Sequence, residues 1–453
     1  MTTPLSATSL FDMTTTSPAP PLPRTLADTG LGEDQVEQLL IKTLYGGEAS
    51  GHVTAERLRL SWSILEPLVE RARAERLVEV RGATGTGGAA FRYALTDAGR
   101  QRARQYLDVN QYVGAAPVPL SAYVAEMQAL AGRRTYVDRD RLRQGFSHLV
   151  VRDHVFEQLG PALNAGRAVF LYGPPGNGKT VIAEGLGRAL GGDMYVPHAI
   201  EVDGQIIRVF DPINHDSLEA DEDATSVVTA APRDRRWVRI RRPVVMVGGE
   251  LTLDMLDLAY NPLTKFYEAP MQLKAGGGVF LVDDFGRQRV RPQDLLNRWI
   301  VPLESRVDYL TLHTGKKFQV PFDVFVVFAT NLNPESLVDE AFLRRIPYKI
   351  PVENPTVDEF AQIFELNCRR RHLRYHSVMV AYLQRRHYLP YGRPLRACHP
   401  RDLLDQVTAI CRYRGVSPKI TRELLDRACA SYFIDGGPPA ALVEERAGFP
   451  HVA

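Results

Sequence analysis

Eight consecutive residues, Gly173-Pro174-Pro175-Gly176-Asn177-Gly178-Lys179-Thr180, restrict what this chain can fold into more than any other part of it. They fill the pattern G-x-x-x-x-G-K-[ST] without a mismatch, and that pattern works between a strand and a helix. The flanks agree. Ala168-Val169-Phe170-Leu171-Tyr172 reads as a short buried strand, and Val181 to Leu190 carries apolar residues at helical spacing. The glycines let the backbone curl so that its N–H groups point at phosphate oxygens, and the opening helix adds partial positive charge at its N-terminus. Gly173 through Val181 are therefore expected to hold a nucleoside triphosphate such as ATP, with Lys179 on the outer phosphates and the Thr180 hydroxyl as a ligand of Mg2+.

Three later segments add chemistry. The apolar strand Gly278-Val279-Phe280-Leu281-Val282 ends in Asp283 and Asp284. A parallel strand buried on both faces would deliver Asp283 to the sheet end beside the loop, to hold Mg2+ through water, and Asp284 to orient the attacking water. A further strand, Val324 to Thr330, ends at Asn331, whose amide can fix that water and sense the γ-phosphate; a turn or helix-cap asparagine is the other reading. Asp339-Glu340-Ala341-Phe342-Leu343-Arg344-Arg345 then places two adjacent arginines on a helix end, where either can point at a neighbouring subunit or simply be solvated. An arginine supplied in trans is typically worth about 10³ to 10⁵ in the rate of phosphoryl transfer.

At 453 residues the chain is too long for one compact core, so two or three domains are expected. Residues 1–31 are rich in Thr, Ser and Pro and read as a disordered tail. Residues 32–108 read as three helices, a two-stranded wing around Gly82 to Gly88, and a closing helix capped by Thr96 or Asp97. With the phrase Leu95-Thr96-Asp97-Ala98-Gly99-Arg100, this small α+β domain resembles a winged helix-turn-helix, although Pro67 should kink or restart its recognition helix. The domain holds eleven basic and eleven acidic side chains, which weakens the phosphate-neutralising term that dominates DNA affinity. DNA binding, protein docking and plain packing all stay open for it. Residues 109–140 read as a linker, and the nucleotide-binding domain begins near 141.

With loop, acidic strand, asparagine-tipped strand and arginine pair in this order, residues 141–352 resemble the AAA+ family of P-loop ATPases. The resemblance implies an α/β parallel-sheet core with a helical lid at 353–435. It also implies a Walker A motif at Gly173 to Thr180, Walker B ending in Asp283 and Asp284, and sensor 1 at Asn331. The arginine finger would be Arg344 or Arg345, and sensor 2 would be Arg401, in a helix beginning near His399, with Arg393 and Arg396 as competitors. The stretch Val307 to Val320 alternates around Gly315 and looks like the pre-sensor-1 hairpin of clades that include the MoxR-like chaperone ATPases. Such proteins assemble into rings, with six subunits the expected number.

Lys179 and Asp283 are 104 residues apart, so an insertion is expected at about 195–270. It contains an Asp-Gly hairpin signal at Asp203-Gly204, an acidic patch at Glu219 to Asp223, and six arginines between Arg233 and Arg242. Those arginines read either as a charged edge strand or as a contact for a polyanionic substrate. The family usually carries glutamate where this chain has Asp284. The shorter side chain withdraws the carboxylate by about 1.5 Å, and misplacing a catalytic group by ~1 Å can cost ~10²-fold. Slow hydrolysis with intact binding is therefore expected.

A net charge of +2 gives no global attraction to nucleic acid or anionic membrane. Cys368, Cys398, Cys411 and Cys429 form no C-x-x-C pair and read as reduced thiols of a cytoplasmic protein. No apolar run approaches a membrane span, and the tail at 436–453 carries no motif. The function expected is ATP hydrolysis in a ring that remodels a protein client. The alternatives are a DNA-associated ATPase reading through residues 32–108, and an ATP-gated scaffold of slow turnover.

Overall fold

The computed structural model describes residues 17–133, 136–218 and 232–433, so the acidic patch Glu219 to Asp223 and the tail at 436–453 lie outside the described residues. The first folded unit runs α1 (Glu33–Tyr45), β1 (Ala49–Ser50), α2 (Gly51–Leu58), α3 (Trp62–Ala74), β2 (Val78–Ala83), β3 (Phe91–Leu95) and α4 (Asp97–Val109). Apolar residues at helical spacing, Val36, Leu39, Leu40 and Leu44, turn α1 inward. The Ser50 and Thr96 hydroxyls cap α2 and α4 by accepting from Val53 N and Gly99 N. The strands pair in the order β1-β3-β2. Helix α3 continues through Pro67 as one element, forgoing one i→i−4 hydrogen bond. Glu66, Pro67 and Glu70 form part of its exposed face.

Two segments differ from the sequence expectation. Residues 17–31 are packed against the chain instead of forming a free tail. Pro20 O accepts from Asp234 N at 2.9 Å, Pro21 bridges to Arg233, and Leu31 is buried. The linker is likewise structural over much of its length. Strand β4 (Val118–Pro119) pairs in parallel with residues 200–201, and α5 (Leu120–Gly132) buries Tyr123, Met127 and Leu130 against the insertion. Proline-rich composition alone did not show that a buried partner waits for these segments. Helices α6 (Arg139–Gly145) and α7 (Asp153–Ala165) then lead into the core.

The core begins with β5 (Val169–Tyr172) and α8 (Lys179–Leu190). The insertion follows as β6 (Asp193–Pro197), β7 (Ala199–Val202), β8 (Gln205–Arg208) and β9 (Trp237–Arg241). After these come β10 (Val244–Val247), β11 (Ala259–Tyr260), β12 (Tyr267–Glu268) and α9 (Met271–Lys274). Next are β13 (Val279–Val282), α10 (Pro292–Ser305), β14 (Val307–Thr311), β15 (Lys317–Pro321) and β16 (Phe325–Thr330). Short helices α11 (Pro334–Leu337) and α12 (Glu340–Arg345) precede β17 (Tyr348–Pro351).

The central sheet has the order β10-β13-β16-β5-β17, all parallel. Its strands are buried on both faces: Phe170, Phe280, Val282 and Phe328 pack on one side, Val169, Leu171, Val279 and Leu281 on the other. Strand β10 falls inside the stretch assigned to the insertion, yet it is an edge of this sheet. Four residues between loops give no signal of which sheet they join. The remaining insertion strands build, with β4 at the edge, a second sheet, β11-β12-β8-β7-β4, and the pair β6/β9. The Asp203-Gly204 turn joins β7 to β8 with both residues at positive φ, 54° and 78°. The hairpin β14/β15 stands where the alternation at 307–320 placed it.

The lid comprises α13 (Val357–Arg370), α14 (Ser377–Leu383), α15 (His399–Tyr413) and α16 (Arg422–Tyr432) around Phe360, Phe364, Leu404 and Leu425. A Thr356/Glu359 capping box starts α13. Parallel sheet, phosphate loop and lid make this a P-loop α/β fold with a helical lid, preceded by the small α+β unit. Among the described residues, no helix is long and apolar enough to cross a membrane.

Candidate nucleotide site

The loop from β5 to α8 is squeezed between the end of β17 and the lid. A Cβ on Gly173 (φ 135°) would lie 2.5 Å from Val352 O, and one on Gly176 (φ 82°) would lie 2.6 Å from Cys398 Sγ. Neither position tolerates a side chain, so both glycines are required by close approach as well as by φ. Inside the curl, Lys179 Nζ donates to Gly173 O at 2.9 Å, Pro174 O at 3.1 Å and Asn331 Oδ1 at 2.6 Å. Burial lowers the Lys179 pKa, and the charges of Asp283 and Asp284 oppose that shift. An ammonium held in this way stands ready to exchange carbonyl oxygens for phosphate oxygens.

Strand order brings the other predicted residues to the same place. The Thr180 hydroxyl donates to Asp283 Oδ2 at 2.7 Å. Asp284 N donates to Asp283 Oδ1 at 3.0 Å, and Asn331 Nδ2 donates to Asp284 Oδ1 at 3.1 Å. Asn331, at the end of β16, thus joins Lys179 to Asp284. Asp284 has φ 48°, a left-handed conformation that orients its carboxylate at the strand tip. Among the described residues no group of three or more His, Cys, Asp or Glu side chains could hold a metal. A hydroxyl beside one carboxylate nevertheless fits Mg2+, which is commonly held by one or two carboxylates plus phosphate and water.

These residues line a cavity of about 700 Å³ between core and lid. The lid is fastened to the loop directly: Ala397 N donates to Asn177 Oδ1 at 3.2 Å, and Asn177 Nδ2 donates to Asn354 Oδ1 at 2.9 Å. Arg401 lines the cavity but is held by Asp402, Nε to Oδ1 at 2.8 Å, while the Tyr432 hydroxyl donates to Asp402 Oδ2 at 2.8 Å. Of its competitors, Arg393 is stacked between Tyr391 and Phe433, 4.0 and 4.1 Å from their centroids, and serves lid packing. Arg396 runs beside Gly176. The sequence reading missed part of the cavity wall, formed by His148, Leu149, Val150 and Val151 and, from α13, Ile363 and Leu366. Its only sequence signal is a short apolar run before α7.

The arginine pair does not line its own subunit's cavity. The Arg345 Nε donates to Glu304 Oε1 at 2.6 Å, and its guanidinium packs 5.6 Å from the Phe342 centroid. Arg344 is 81 % exposed, with Glu340 3.6 Å away. Of the six arginines of the arginine-rich segment, Arg236 is buried, Arg233, Arg239 and Arg242 are half-buried, and Arg235 and Arg241 are exposed. Arg236 pairs with Asp234, both under 6 % exposed, and donates to Thr29 O and Pro117 O. The Arg239 Nε donates to Asp193 at 2.5 Å, and Arg242 donates to Gly191 O and Gly277 O. These contacts engage three of the six arginines and leave the exposed Arg235 and Arg241 facing solvent.

A family model described as Domain of unknown function (DUF8689) matches residues 356–431, which is the lid. Among solved structures, the chain is similar to a RuvB mutant from Thermotoga maritima, at 15% identity and TM-score 0.38, covering 68% of this chain and 81% of that one. It is similar to NtrX from Brucella abortus at 15% identity and TM-score 0.38, covering 68% of this chain and 60% of that one. It is also similar to the RuvB Holliday junction branch migration motor of Thermotoga maritima, at 14% identity and TM-score 0.32, covering 67% of this chain and 74% of that one.

Proposed function

We propose that this chain is a Mg2+-dependent ATPase that closes into a ring, hydrolyses ATP between adjacent subunits and uses the cycle to remodel a protein client, as the MoxR-like ATPases do. The observation that carries the reading is the linked set Lys179, Thr180, Asp283, Asp284 and Asn331 at one end of the parallel sheet. In this reading Gly173 to Val181 hold the phosphates, Thr180 and Asp283 hold Mg2+, Asp284 takes a proton from the attacking water and Asn331 positions that water. A bound Mg2+ would neutralise charge on the β- and γ-phosphates. The ring follows from Arg344, exposed on its own subunit and suited to a neighbour's γ-phosphate.

A protein client is favoured over DNA because the exposed face of α3 carries Glu66, and its Arg73 is already paired with Glu70 at 2.6 Å, which leaves little net positive charge for a phosphate backbone. The slow scaffold reading retains one observation of its own, the short carboxylate of Asp284. The test is ATP turnover and gel-filtration size for the wild type and Lys179→Ala. ATP-dependent assembly of the wild type, with hydrolysis lost in Lys179→Ala, is the expected result. A wild type that stays monomeric with ATP and Mg2+ would overturn the ring. To separate the clients, Asp284→Asn with ATP is assayed for retained protein and retained nucleic acid. Recovery of nucleic acid alone, released by salt, would replace the protein-client reading with the DNA reading.

A further inference from the structure

We propose that His148 reads the nucleotide base: its Nδ1–H is the side-chain donor that hydrogen-bonds a ring nitrogen of the purine. The inference rests on the ATPase reading above and adds a residue to it. His148 lines the cavity together with the apolar Leu149, Val150 and Val151 and with Ile363 and Leu366 of α13, and it is bonded to Arg188, in the last turn of α8, whereas Lys179 opens that helix. A slot with apolar walls accepts a planar base, and the polar groups on its rim set the base's orientation.

The tautomer of His148 follows from its partner. Arg188 Nη2 lies 2.7 Å from His148 Nε2. A guanidinium has donors and no acceptor, so Nε2 must accept, and the ring is neutral with its proton on Nδ1. Desolvation, and then the charges of Arg188 and Arg370, lower the His148 pKa, which keeps that state at neutral pH. Nδ1 has no protein partner among the described residues. The backbone is held from the other side, since Arg370 Nη2 of the lid donates to His148 O at 2.5 Å. Core helix α8 and lid helix α13 therefore both fix this residue at the cavity wall, with its Nδ1 donor not engaged by the protein.

The experiment compares binding of ATP, its 1-deaza, 3-deaza and 7-deaza analogues, and inorganic tripolyphosphate to the wild type, His148→Phe, His148→Gln and Arg188→Met. One deaza analogue should bind the wild type about 3- to 10-fold more weakly than ATP, the range for a single neutral hydrogen bond. His148→Phe, which keeps a ring of similar size, should bind ATP more weakly by the same factor and no longer distinguish that analogue. His148→Gln retains a donor and should retain the discrimination. Arg188→Met releases the tautomer and should reduce it. Tripolyphosphate should bind all four proteins alike. A deaza pattern identical in wild type and His148→Phe overturns the inference while leaving the ATPase reading intact. Failure of both ATP and tripolyphosphate to bind the wild type overturns the ATPase reading itself.

Discussion

The backbone amide of Cys398 donates to the carbonyl of Gly176 at 2.8 Å, so the lid is hydrogen-bonded to the main chain of the phosphate loop. Any displacement of the loop is felt by the start of α15. Gly176→Ala puts a methyl 2.6 Å from Cys398 Sγ at φ 82°, and a left-handed non-glycine residue costs roughly 1–2 kcal/mol. ATP affinity, measured by titration, is expected to fall by about tenfold or more. Adding Cys398→Ala should restore the part due to the sulfur contact and leave the part due to φ.

Arg344 and Lys179 act, in the proposed ring, on opposite sides of one interface. Arg344→Ala alone should lower turnover by about 10³-fold, as for other trans-acting arginines. Lys179→Ala alone should be inactive. Mixed together, the two should regain activity, because a Lys179→Ala subunit supplies Arg344 to its neighbour's intact loop. No recovery at any mixing ratio would remove the trans role. Arg345→Ala should lower the melting temperature more than the rate, since its guanidinium is engaged by Glu304 and Phe342.

Asp284 reaches Asn331 but is one methylene shorter than the glutamate that the family resemblance implies. If reach limits the attack, Asp284→Glu should raise kcat by tenfold or more, within the ~10² that a 1 Å displacement can carry. Asp284→Asn should abolish turnover while leaving ATP binding within about twofold, because Lys179, Thr180 and Asp283 are untouched. Equal kcat for Asp284→Glu and wild type would show that carboxylate length is not what sets the rate.

The convergence of Lys179, Thr180, Asp283 and Asn331 was readable in the sequence because its signals are local: each sits at the end of an apolar strand or the start of a helix, where short-range pattern suffices. Val244–Val247 was not readable, because membership of the central sheet is decided by pairing with Val279 to Val282 more than thirty residues later. Arg236 looked like a surface charge for the same reason, its acceptors Thr29 and Pro117 being 207 and 119 residues away. His148 belongs to no motif, and only the closure of the lid over it marks the position.

Lys42 carries a pH signature in the first folded unit. It is 4 % exposed, its Nζ donates to Asn110 O at 3.1 Å, and burial pushes its pKa down to about 8. The folded state therefore holds this proton less tightly than the unfolded chain does. Between about pH 8 and the ordinary lysine value the unfolded state binds more protons, so stability should rise with pH across that window. Denaturant unfolding of Lys42→Met should show a flatter profile there. An unchanged slope would mean that Lys42 titrates normally in the folded protein.

Arg236 ties three separate stretches together, and its loss should be felt in all of them. It is buried with Asp234, donates to Thr29 O in the N-terminal strap and to Pro117 O in the connector, and lies two residues after the amide that binds Pro20 O. Arg236→Met leaves a buried carboxylate without its cation, which typically costs 3–5 kcal/mol, roughly the scale of a whole domain's margin. Asp234→Leu/Arg236→Met removes both charges and should recover much of that loss, though the Thr29 and Pro117 carbonyls stay without their donor. In the single variant, proteolysis should begin within residues 17–31 and 109–117 before it reaches the core. The phosphate loop, on the far sheet, should still bind ATP. If cleavage instead starts in the central sheet, or ATP binding is lost with the strap, then the strap is not a separate unit fastened by Arg236.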